Sequence, residues 1–444
     1  MRPCSTPTTT TTGSTRSLCI ALGSASATAW CRWPVAGRSA MTSAPIATIA
    51  IITYNSAEQI EACLAAASQL EPLGAYELLV LDNASHDGTL QRVRASFPQV
   101  RLIAEGENWG FAGGVNRAAA AATGEYVLLL NPDATPEPSW ARELLAALAQ
   151  PGVGVAGSRV LEPDGRIQSL GSDIDMRVLL TAHRTAPLGE DLADVDAVHG
   201  AAMGFARQVW RQLGGFDEGF YPAYWEEVDF CERVRRAGMR CVVAPRAAVR
   251  HAEASSTGKY SPEFYGYYLR NRLRYAAKWL AWPELWGSFR PAEHARLRIA
   301  PMVDCQVASL VYDRGVPAPE LPNASARASL RQLGGDLRTR KLPEDTTALI
   351  DAQLALAEEN SVHHEVQFTS RLGVLARFRT IWNSVATRWY VRPNLDQQTR
   401  YNLAVQRAFS AYLRQETARA AAQSLDVALL AYRMEQDSQR TVGN

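Results

Sequence analysis

Four short apolar runs, separated by stretches of helical character, constrain the fold of this chain most strongly. They are rich in β-branched residues and leucine and span residues 46–53, 76–82, 100–105 and 125–131. Buried parallel strands have continuous apolar sequences, and helices between consecutive strands imply right-handed crossover connections. The pattern therefore predicts a doubly wound α/β sheet, in which ligands bind beyond the carboxyl ends of the strands.

Polar residues stand where three of these strands end. In strand order they are Thr53, Tyr54 and Asn55, then Asp82 and Asn83, then Asn131, Pro132 and Asp133. Any one group is explained by turn formation, because Asn, Asp and Pro are common wherever a strand stops. Three such groups on one edge of one sheet favour a shared binding cleft.

Composition excludes several classes of protein. The chain has 444 residues, of which 47% are hydrophobic, and a net charge of +1, so it lacks the basic excess of a dedicated nucleic-acid binder. Its seven cysteines are scattered without a CxxC pair, which argues against a disulfide framework or a structural zinc site. A reducing cytoplasm fits this cysteine usage best. No apolar run approaches the roughly 18 residues that a membrane-spanning helix needs.

Three parts of the chain differ in character. Residues 1–44 are rich in Thr and Ser and are interpreted as a disordered or spurious N-terminal extension, with Met41 as a plausible true start. Residues 45–285 contain the predicted sheet, including a hairpin turn at 162–166. Residues 290–444 have helical patterns and an unknown role.

A basic amphipathic segment lies within the C-terminal part. Residues 366–392 carry five arginines and no acid, and their aromatic and aliphatic residues recur at spacings of three and four. Such a helix can lie on an anionic membrane surface or pack against its own domain or a partner subunit. Peripheral membrane association and oligomerisation therefore both remain open.

Two segments carry groups that suit a metal or a phosphate. Asp133 in Asn131-Pro132-Asp133 offers hard oxygen ligands for Mg²⁺ or Mn²⁺, although capping of the next helix explains it equally well. His251 follows a later strand and would share the cleft with Asp133 if the sheet folds back on itself. The glycines of residues 108–114 lack the spacing of a dinucleotide fingerprint but allow close backbone approach to a diphosphate.

The stretch YWEEVDF at residues 224–230 supports two interpretations. Its acids precede a run containing Arg233, Arg235 and Arg236, and this order complements the dipole of a helix. Its carboxylates, Glu226, Glu227 and Asp229, could equally take a proton during catalysis. The residues alone leave both roles open.

The succession of these motifs resembles the family-2 inverting glycosyltransferases, in particular the rhamnosyltransferase and galactofuranosyltransferase branch. The motifs in order are YNS, LDNASHDGT, ENWGFAGGVNRA, LLLNPDA, GGFDEGFYPAYWEEVDFCERVRRAG and the late His251, which together span about residues 46–282. The resemblance implies a GT-A fold (a mixed, doubly wound α/β sheet), followed here by a mainly helical C-terminal region. It also implies a nucleotide-sugar donor and a divalent metal, Mg²⁺ or Mn²⁺.

Specific residues acquire roles through this resemblance. Asp133 and His251 correspond to metal ligands, and Glu227 corresponds to the catalytic base, with Glu226 and Asp229 as further candidates. Many relatives have Glu-Asp where this chain has Glu226-Glu227. The implied donor-binding residues are Thr53, Tyr54, Asn55, Asp82, Asn83, Gly113, Gly114, Asn116 and Asn131, the last replacing the first Asp of the family's DxD motif. Arg270, Asn271 and Arg272 resemble an RN pattern that could contact an acceptor phosphate or simply lie on a solvated helix.

The expected function is transfer of a sugar from a nucleotide-diphosphate donor to a hydroxyl of a cell-surface glycan or lipid-linked acceptor. The expected location is the cytoplasm or the inner face of the membrane, with no nucleic-acid partner. Two alternatives remain: a non-catalytic binding protein for glycans or nucleotide sugars, and a nucleotidyltransferase. The latter would be expected to carry a Gly-rich basic signature after the first strand, and TYNSAEQI does not supply it.

Overall fold

The computed structural model describes residues 45–71, 74–187, 189–252, 261–317, 377, 381–382 and 392–442. The predicted N-terminal extension, residues 1–44, lies outside these ranges. Nearly all of the predicted basic amphipathic helix at 366–392 also lies outside them.

A mixed sheet forms the centre of the fold. Its strands are β1 (Ala47–Thr53), β2 (Tyr76–Asp82), β3 (Arg101–Ala104), β4 (Tyr126–Leu130), β5 (Ala134–Pro136), β6 (Val153–Leu161), β7 (Ile167–Ser169), β10 (Ala193–Asp194), β11 (Ala202–Ala206) and β12 (Arg240–His251). The hairpin β8 (Ser172–Asp175) and β9 (Leu180–His183) forms a separate two-stranded sheet. The four strands predicted first from the sequence are β1 to β4, so that prediction is confirmed.

Helices connect and cover these strands. They are α1 (Ile60–Ala67), α2 (Thr89–Ser96), α3 (Gly110–Ala121), α4 (Trp140–Leu148), α5 (Arg207–Gln212), α6 (Glu226–Arg236), α7 (Pro262–Trp279), α8 (Trp282–Glu284), α9 (Arg290–Ile299), α10 (Met302–Tyr312) and α11 (Arg392–Val442), with a π-helical turn at Leu285–Phe289. The predicted GT-A arrangement, a doubly wound mixed sheet followed by a mainly helical C-terminal region, is confirmed.

The strand order brings several strand ends to one edge. The order is β10-β12-β6-β11-β4-β1-β2-β3, with β5 paired to β12 and β7 to β6. Neighbours pair in parallel except around β11, which is antiparallel to both β4 and β6, and at β10, which is antiparallel to β12. Consequently β1, β2, β4, β6 and β12 deliver their carboxyl ends to one edge of the sheet, and β11 delivers its amino end there. The predicted hairpin turn at 162–166 joins β6 to β7.

Two apolar layers cover the sheet. One layer packs α1 and α4 on residues such as Ile49, Leu128 and the fully buried Trp140, whose indole N–H donates to Ser158 Oγ at 2.8 Å. The other layer packs α3, α6 and α7 on the opposite face and includes residues of the C-terminal helices. Burying a side chain such as Ile49 stabilises the fold by roughly 1.5–3 kcal/mol, so these layers fix the sheet edge rigidly.

The C-terminal helices attach to α7 through buried charge. Glu293 of α9 is completely buried and accepts hydrogen bonds from Arg272 of α7, Arg296 of α9 and Tyr312 of α10. Burial alone would raise its pKa, but Arg272 and these hydrogen bonds lower the pKa of Glu293 to about 2. A fully satisfied buried network of this kind fixes one packing arrangement. Among the helices within the described ranges, none combines the length and apolar character that crossing a bilayer requires.

Candidate active site

Backbone pairing at the sheet edge brings Asp133 and His251 together. Asp133 directly precedes β5, which pairs antiparallel with the end of β12 so that Ala134 lies opposite His251. The amide of Ala252 also donates to the carbonyl of Asp133 at 3.2 Å. The two residues therefore lie side by side at the sheet edge.

The Asp133–His251 pair has the chemistry of a metal site. His251 Nε2 lies 3.3 Å from Asp133 Oδ1, and the two side chains are only 4% and 8% exposed. His251 Nδ1 donates to Gln168 Oε1 at 2.9 Å, so Nε2 is the ring nitrogen that faces Asp133. Metal-binding histidines characteristically donate their other ring N–H in this way. No group of three or more His, Cys, Asp or Glu side chains in the described ranges could hold a metal alone, so these two residues would need ligands from a substrate.

Buried polar atoms without partners mark the adjacent strand ends. Thr53 is paired directly with Asp82 in the register of β1 and β2. Thr53 Oγ1, Asp82 Oδ1 and Asn83 Oδ1 are buried and make no hydrogen bond within the described residues. Their other polar atoms are engaged: Asp82 Oδ2 accepts from Ser85 N at 2.9 Å, and Asn83 Nδ2 donates to Gly110 O at 3.0 Å. Buried polar atoms are rarely left unpaired, so these three are available to hydrogen-bond a ligand.

Tyr54 and Asn55 shape the rim beside these atoms. Asn55 has a left-handed backbone with φ of 50°, which Asn tolerates better than most residues. Its amide donates to Ser85 Oγ at 2.9 Å, and its side-chain oxygen accepts from His86 N at 2.8 Å. Asn55 thus fastens the loop after β2 to the loop after β1, while Tyr54 is 38% exposed at the rim.

Three predicted donor-binding residues lie inside α3. A Cβ on Gly114 would come within 2.5 Å of Ile52 Cγ2, and one on Gly113 would come within 2.8 Å of Trp109 Cβ. The missing side chain at Gly114 therefore lets α3 approach β1 closely. The side-chain amide of Asn116 is hydrogen-bonded to the backbone of Phe216: Nδ2 donates to Phe216 O at 2.8 Å, and Oδ1 accepts from Phe216 N at 2.7 Å.

Asn131 connects the Asp133–His251 pair to the amino end of β11. Its amide donates to Ala201 O at 2.8 Å, and its carbonyl accepts a hydrogen bond from Cys63 Sγ at 3.3 Å. The backbone after β4 thus lies against residues 199–201, which lead into β11.

The acids of α6 begin at a constrained turn. Tyr224 and Trp225 adopt left-handed φ values of 80° and 77°, which cost on the order of 1–3 kcal/mol each for residues other than Gly. Asn271 of α7 stabilises this turn, because its buried Nδ2 donates to Ala223 O at 2.8 Å and Tyr224 O at 3.0 Å. The turn places Glu226 and Glu227 at the start of α6.

The two adjacent glutamates have different environments. Glu226 is 4% exposed, its Oε2 has no hydrogen-bond partner within the described residues, and burial together with the charge of Glu227 raises its pKa well above the usual 4.5. Glu227 is half-buried, and burial raises its pKa to about 7. Both carboxyls therefore hold a proton more tightly than usual, and Glu227 can both take and release a proton near pH 7.

Asp229, the third candidate, is fully engaged in structural contacts. Its Oδ2 accepts from Arg233 Nε at 2.9 Å, which is the i,i+4 pair expected in a helix of this sequence. Its Oδ1 accepts from Trp279 Nε1 at 3.0 Å and lies 2.7 Å from Lys278 Nζ. With both oxygens occupied and its surface completely buried, Asp229 fastens α6 to α7.

The Arg270-Asn271-Arg272 segment is buried. Arg270 donates to the carbonyl of Gly219, and Arg272 donates to the carbonyls of Leu179 and Val178. Of the two roles left open by the sequence, a solvated helix face is excluded, because Arg270 and Arg272 are only 8% and 2% exposed. These side chains hold the loops around the cleft.

His199 and Gln168 lie at the site although the sequence did not single them out. The His199 ring lies between the rings of His183 and His251, with centroid distances of 5.4 and 5.5 Å. Burial and the neighbouring His251 and His183 rings lower the pKa of His199 well below 6.5. The sequence signal that could have identified His199 is its position just before β11, whose amino end lies at the site.

Comparisons with known proteins agree with this architecture. A family model described as glycosyl transferase family 2 matches residues 48–209. An N-acetylglucosaminyl-diphospho-decaprenol L-rhamnosyltransferase of Mycobacterium tuberculosis is 30% identical over 239 residues, which cover 48% of this chain and 77% of that protein. An uncharacterized protein of Sinorhizobium fredii is 30% identical over 241 residues, covering 51% of this chain and 26% of that longer protein.

A solved structure also matches part of the chain. The mannosyltransferase PcManGT from Pyrobaculum calidifontis, determined with GDP-Man and Mn²⁺, is 25% identical with a TM-score of 0.41 and covers 67% of this chain and 83% of its own. The assignment itself depends on the family model and on the rhamnosyltransferase, most of whose length is matched. By these matches, the chain belongs to glycosyl transferase family 2.

Proposed function

We propose that this chain is a metal-dependent inverting glycosyltransferase. It transfers a sugar from a nucleotide-diphosphate donor to a hydroxyl group of a glycan or lipid-linked acceptor. The observation that carries the proposal is the meeting of three chemical groups at one sheet edge. These are the unpartnered oxygens of Thr53, Asp82 and Asn83, the Asp133–His251 pair, and Glu227 with its pKa of about 7.

The nucleoside binds at the ends of β1 and β2 in this proposal. Asp82 Oδ1 and Asn83 Oδ1 are acceptors for N–H or O–H groups of a base or ribose, and Thr53 Oγ1 can donate or accept. Leaving such groups unpaired costs about 1–3 kcal/mol each, so a nucleoside that pairs with them gains correspondingly.

Asp133 and His251 would hold the divalent cation. Carboxylate oxygen and imidazole nitrogen suit Mn²⁺, and the carboxylate also suits Mg²⁺. Their two atoms leave coordination positions for phosphate oxygens of the donor. When bound, the cation supplies positive charge that stabilises the departing nucleoside diphosphate.

Glu227 acts as the general base. Its carboxylate accepts the proton of the acceptor hydroxyl as that oxygen bonds to the anomeric carbon and the bond to the diphosphate oxygen breaks. A single displacement of this kind inverts the anomeric configuration. We assign this role to Glu227 rather than Glu226 because Glu227 is the less buried of the two and has a pKa of about 7.

The acceptor class is inferred from the rhamnosyltransferase relative. That protein's name describes transfer of L-rhamnose to a sugar carried by a diphospho-decaprenol lipid. We infer an acceptor of the same general class, a saccharide carried by a lipid diphosphate, for this chain.

The test is release of nucleoside diphosphate from a panel of nucleotide sugars by the purified protein with Mn²⁺ or Mg²⁺. We expect release from one donor class, stimulated by acceptor, with loss of release in Asp133→Ala. Binding of nucleotide sugars without release would instead indicate a non-catalytic binding protein. Formation of pyrophosphate from a nucleoside triphosphate and a sugar phosphate would indicate a nucleotidyltransferase.

A further inference from the structure

The loop of residues 199–201 lies between two parts of the proposed site, the Asp133–His251 pair and Glu227. On one side the carbonyl of Ala201 accepts the amide of Asn131, two residues before Asp133. On the other side a Cβ placed on Gly200 would lie 3.5–3.6 Å from Cβ, Cγ and Cδ of Glu227. The loop therefore reaches from the diphosphate-binding pair to the general base.

The His199 ring is held in one tautomer by this loop. Its Nδ1 accepts a hydrogen bond from the amide of Ala201 at 3.1 Å, so the proton of the neutral ring lies on Nε2. Edge contacts with the rings of His251 and His183 fix the orientation of the imidazole. His183 is itself held by the hydroxyls of Ser169 and Ser172, at 3.1 and 2.9 Å from its Nδ1.

The Nε2–H of His199 has no acceptor among the residues that the structure describes. Nε2 makes no hydrogen bond to any described residue, although the ring is half-buried and its other nitrogen is paired. A pre-oriented neutral donor in a cleft is a typical group for recognising a substrate hydroxyl. The His199 ring contacts His251, and the next residue, Gly200, contacts Glu227. A sugar carried between a diphosphate at the Asp133–His251 pair and an acceptor hydroxyl at Glu227 would therefore pass this loop.

We propose that His199 is a specificity residue for the donor sugar, with its Nε2–H donating a hydrogen bond to a hydroxyl of the sugar being transferred. This inference rests on the proposed function, since it needs a nucleotide sugar in the cleft. Loss of a neutral hydrogen bond of this kind is expected to cost about 1.4 kcal/mol, which is equivalent to one tenfold change. The expected effect is therefore about a 10-fold loss in kcat/KM for the preferred donor.

Two substitutions separate the hydrogen-bond donor at Nε2 of His199 from the other contacts of the ring. His199→Asn keeps an acceptor for the amide of Ala201 and removes the donor at Nε2. His199→Gln retains an N–H at approximately the reach of Nε2. For the nucleotide sugar with the highest wild-type turnover, we expect His199→Asn to lose about 10-fold in kcat/KM and His199→Gln to recover part of that loss. The Kd of the corresponding nucleoside diphosphate with Mn²⁺ should stay within about twofold of wild type in both variants, since His199 is assigned no contact with it.

Donors that lack single hydroxyls provide the decisive comparison. Wild type should lose about 10-fold in kcat/KM for one deoxy-sugar donor, and His199→Asn should show no further loss with that same donor. Equal wild-type kcat/KM for every deoxy donor would overturn the proposal, and this measurement remains decisive if His199→Asn does not fold. An equal loss in nucleoside diphosphate affinity would also overturn it, because His199 would then act on the diphosphate. If wild type releases nucleoside diphosphate from no nucleotide sugar, the proposed function itself fails, which is a distinct result.

Discussion

Replacing Glu227 by Gln should abolish transfer and stabilise the folded protein at the same time. Burial raises the pKa of Glu227 from 4.5 to about 7, so the folded protein holds this proton more tightly than the unfolded chain. Stability contributed by the protonated form is complete below about pH 4.5 and is lost as pH rises through about 7. The full difference corresponds to about 3 kcal/mol, at about 1.4 kcal/mol for each tenfold change in proton affinity.

Gln is neutral at every pH, so the Glu227→Gln variant escapes this loss. Its free energy of unfolding should exceed that of wild type by up to about 3 kcal/mol at pH 8, and the excess should vanish toward pH 5. Loss of the general base should lower kcat by about 10²–10⁴-fold over the same range. Urea unfolding and nucleoside diphosphate release, both measured at pH 5, 6.5 and 8, provide the two readouts.

Glu226→Gln is the matched control on the adjacent residue. Burial and the charge of Glu227 raise the pKa of Glu226 well above 4.5, and Gln copies the protonated form. We therefore expect the effect of Glu226→Gln on the unfolding free energy to change less between pH 6.5 and pH 8 than the effect of Glu227→Gln. A Glu227→Gln variant that is no more stable than wild type at pH 8 would refute the burial argument. If Glu227→Gln keeps wild-type turnover and Glu226→Gln loses it, Glu226 is the general base instead.

Three further predictions address the pH profile and the groups that support the site. Wild-type kcat/KM should rise with pH through about 7 as Glu227 loses its proton, which a profile of nucleoside diphosphate release from pH 5 to 9 measures; a flat profile would contradict the base assignment. Asn271→Ala removes both donors that hold the turn before α6, so the unfolding free energy should fall by about 1–3 kcal/mol and kcat by more than the donor affinity. A proportional loss in both kinetic constants would show that Asn271 does not act through the turn. Gln168→Ala removes the acceptor for His251 Nδ1 and should weaken Mn²⁺ binding about 10–100-fold by titration calorimetry with nucleoside diphosphate present, whereas unchanged affinity would exclude His251 as a ligand oriented by Gln168.

The centre of the sheet could be predicted from the sequence because strands such as β1 and β4 are buried on both faces. The runs that form β1, β2 and β4 are continuous and apolar, and their polar ends meet at the carboxyl edge as topology requires. The proximity of Asp133 and His251 also followed from the sheet edge. The pairing of β5 with β12 then brings these two side chains to 3.3 Å.

The supporting contacts could not be predicted, because they depend on residues distant in sequence. Asn116 and Asn271 bind backbone atoms about 100 and 47 residues away, and no local pattern encodes such partners. The difference between Glu226 and Glu227 likewise depends on their burial, which adjacent residues of one type do not reveal. His199 escaped notice because a single His before a short strand carries no spacing signal. The donor-binding roles of the residues assigned by resemblance and the position of the domain boundary at 285–290 remain predictions.

The most direct test of this account is the metal dependence of nucleoside diphosphate release. Wild type incubated with a panel of nucleotide sugars should release diphosphate in the presence of Mn²⁺ or Mg²⁺ and lose that activity with a chelator. Asp133→Ala should show no metal-stimulated release while retaining the wild-type circular dichroism spectrum. Full release by Asp133→Ala, or release that is insensitive to chelator, would contradict the assignment of Asp133 and His251 as the diphosphate-binding pole of a glycosyltransferase.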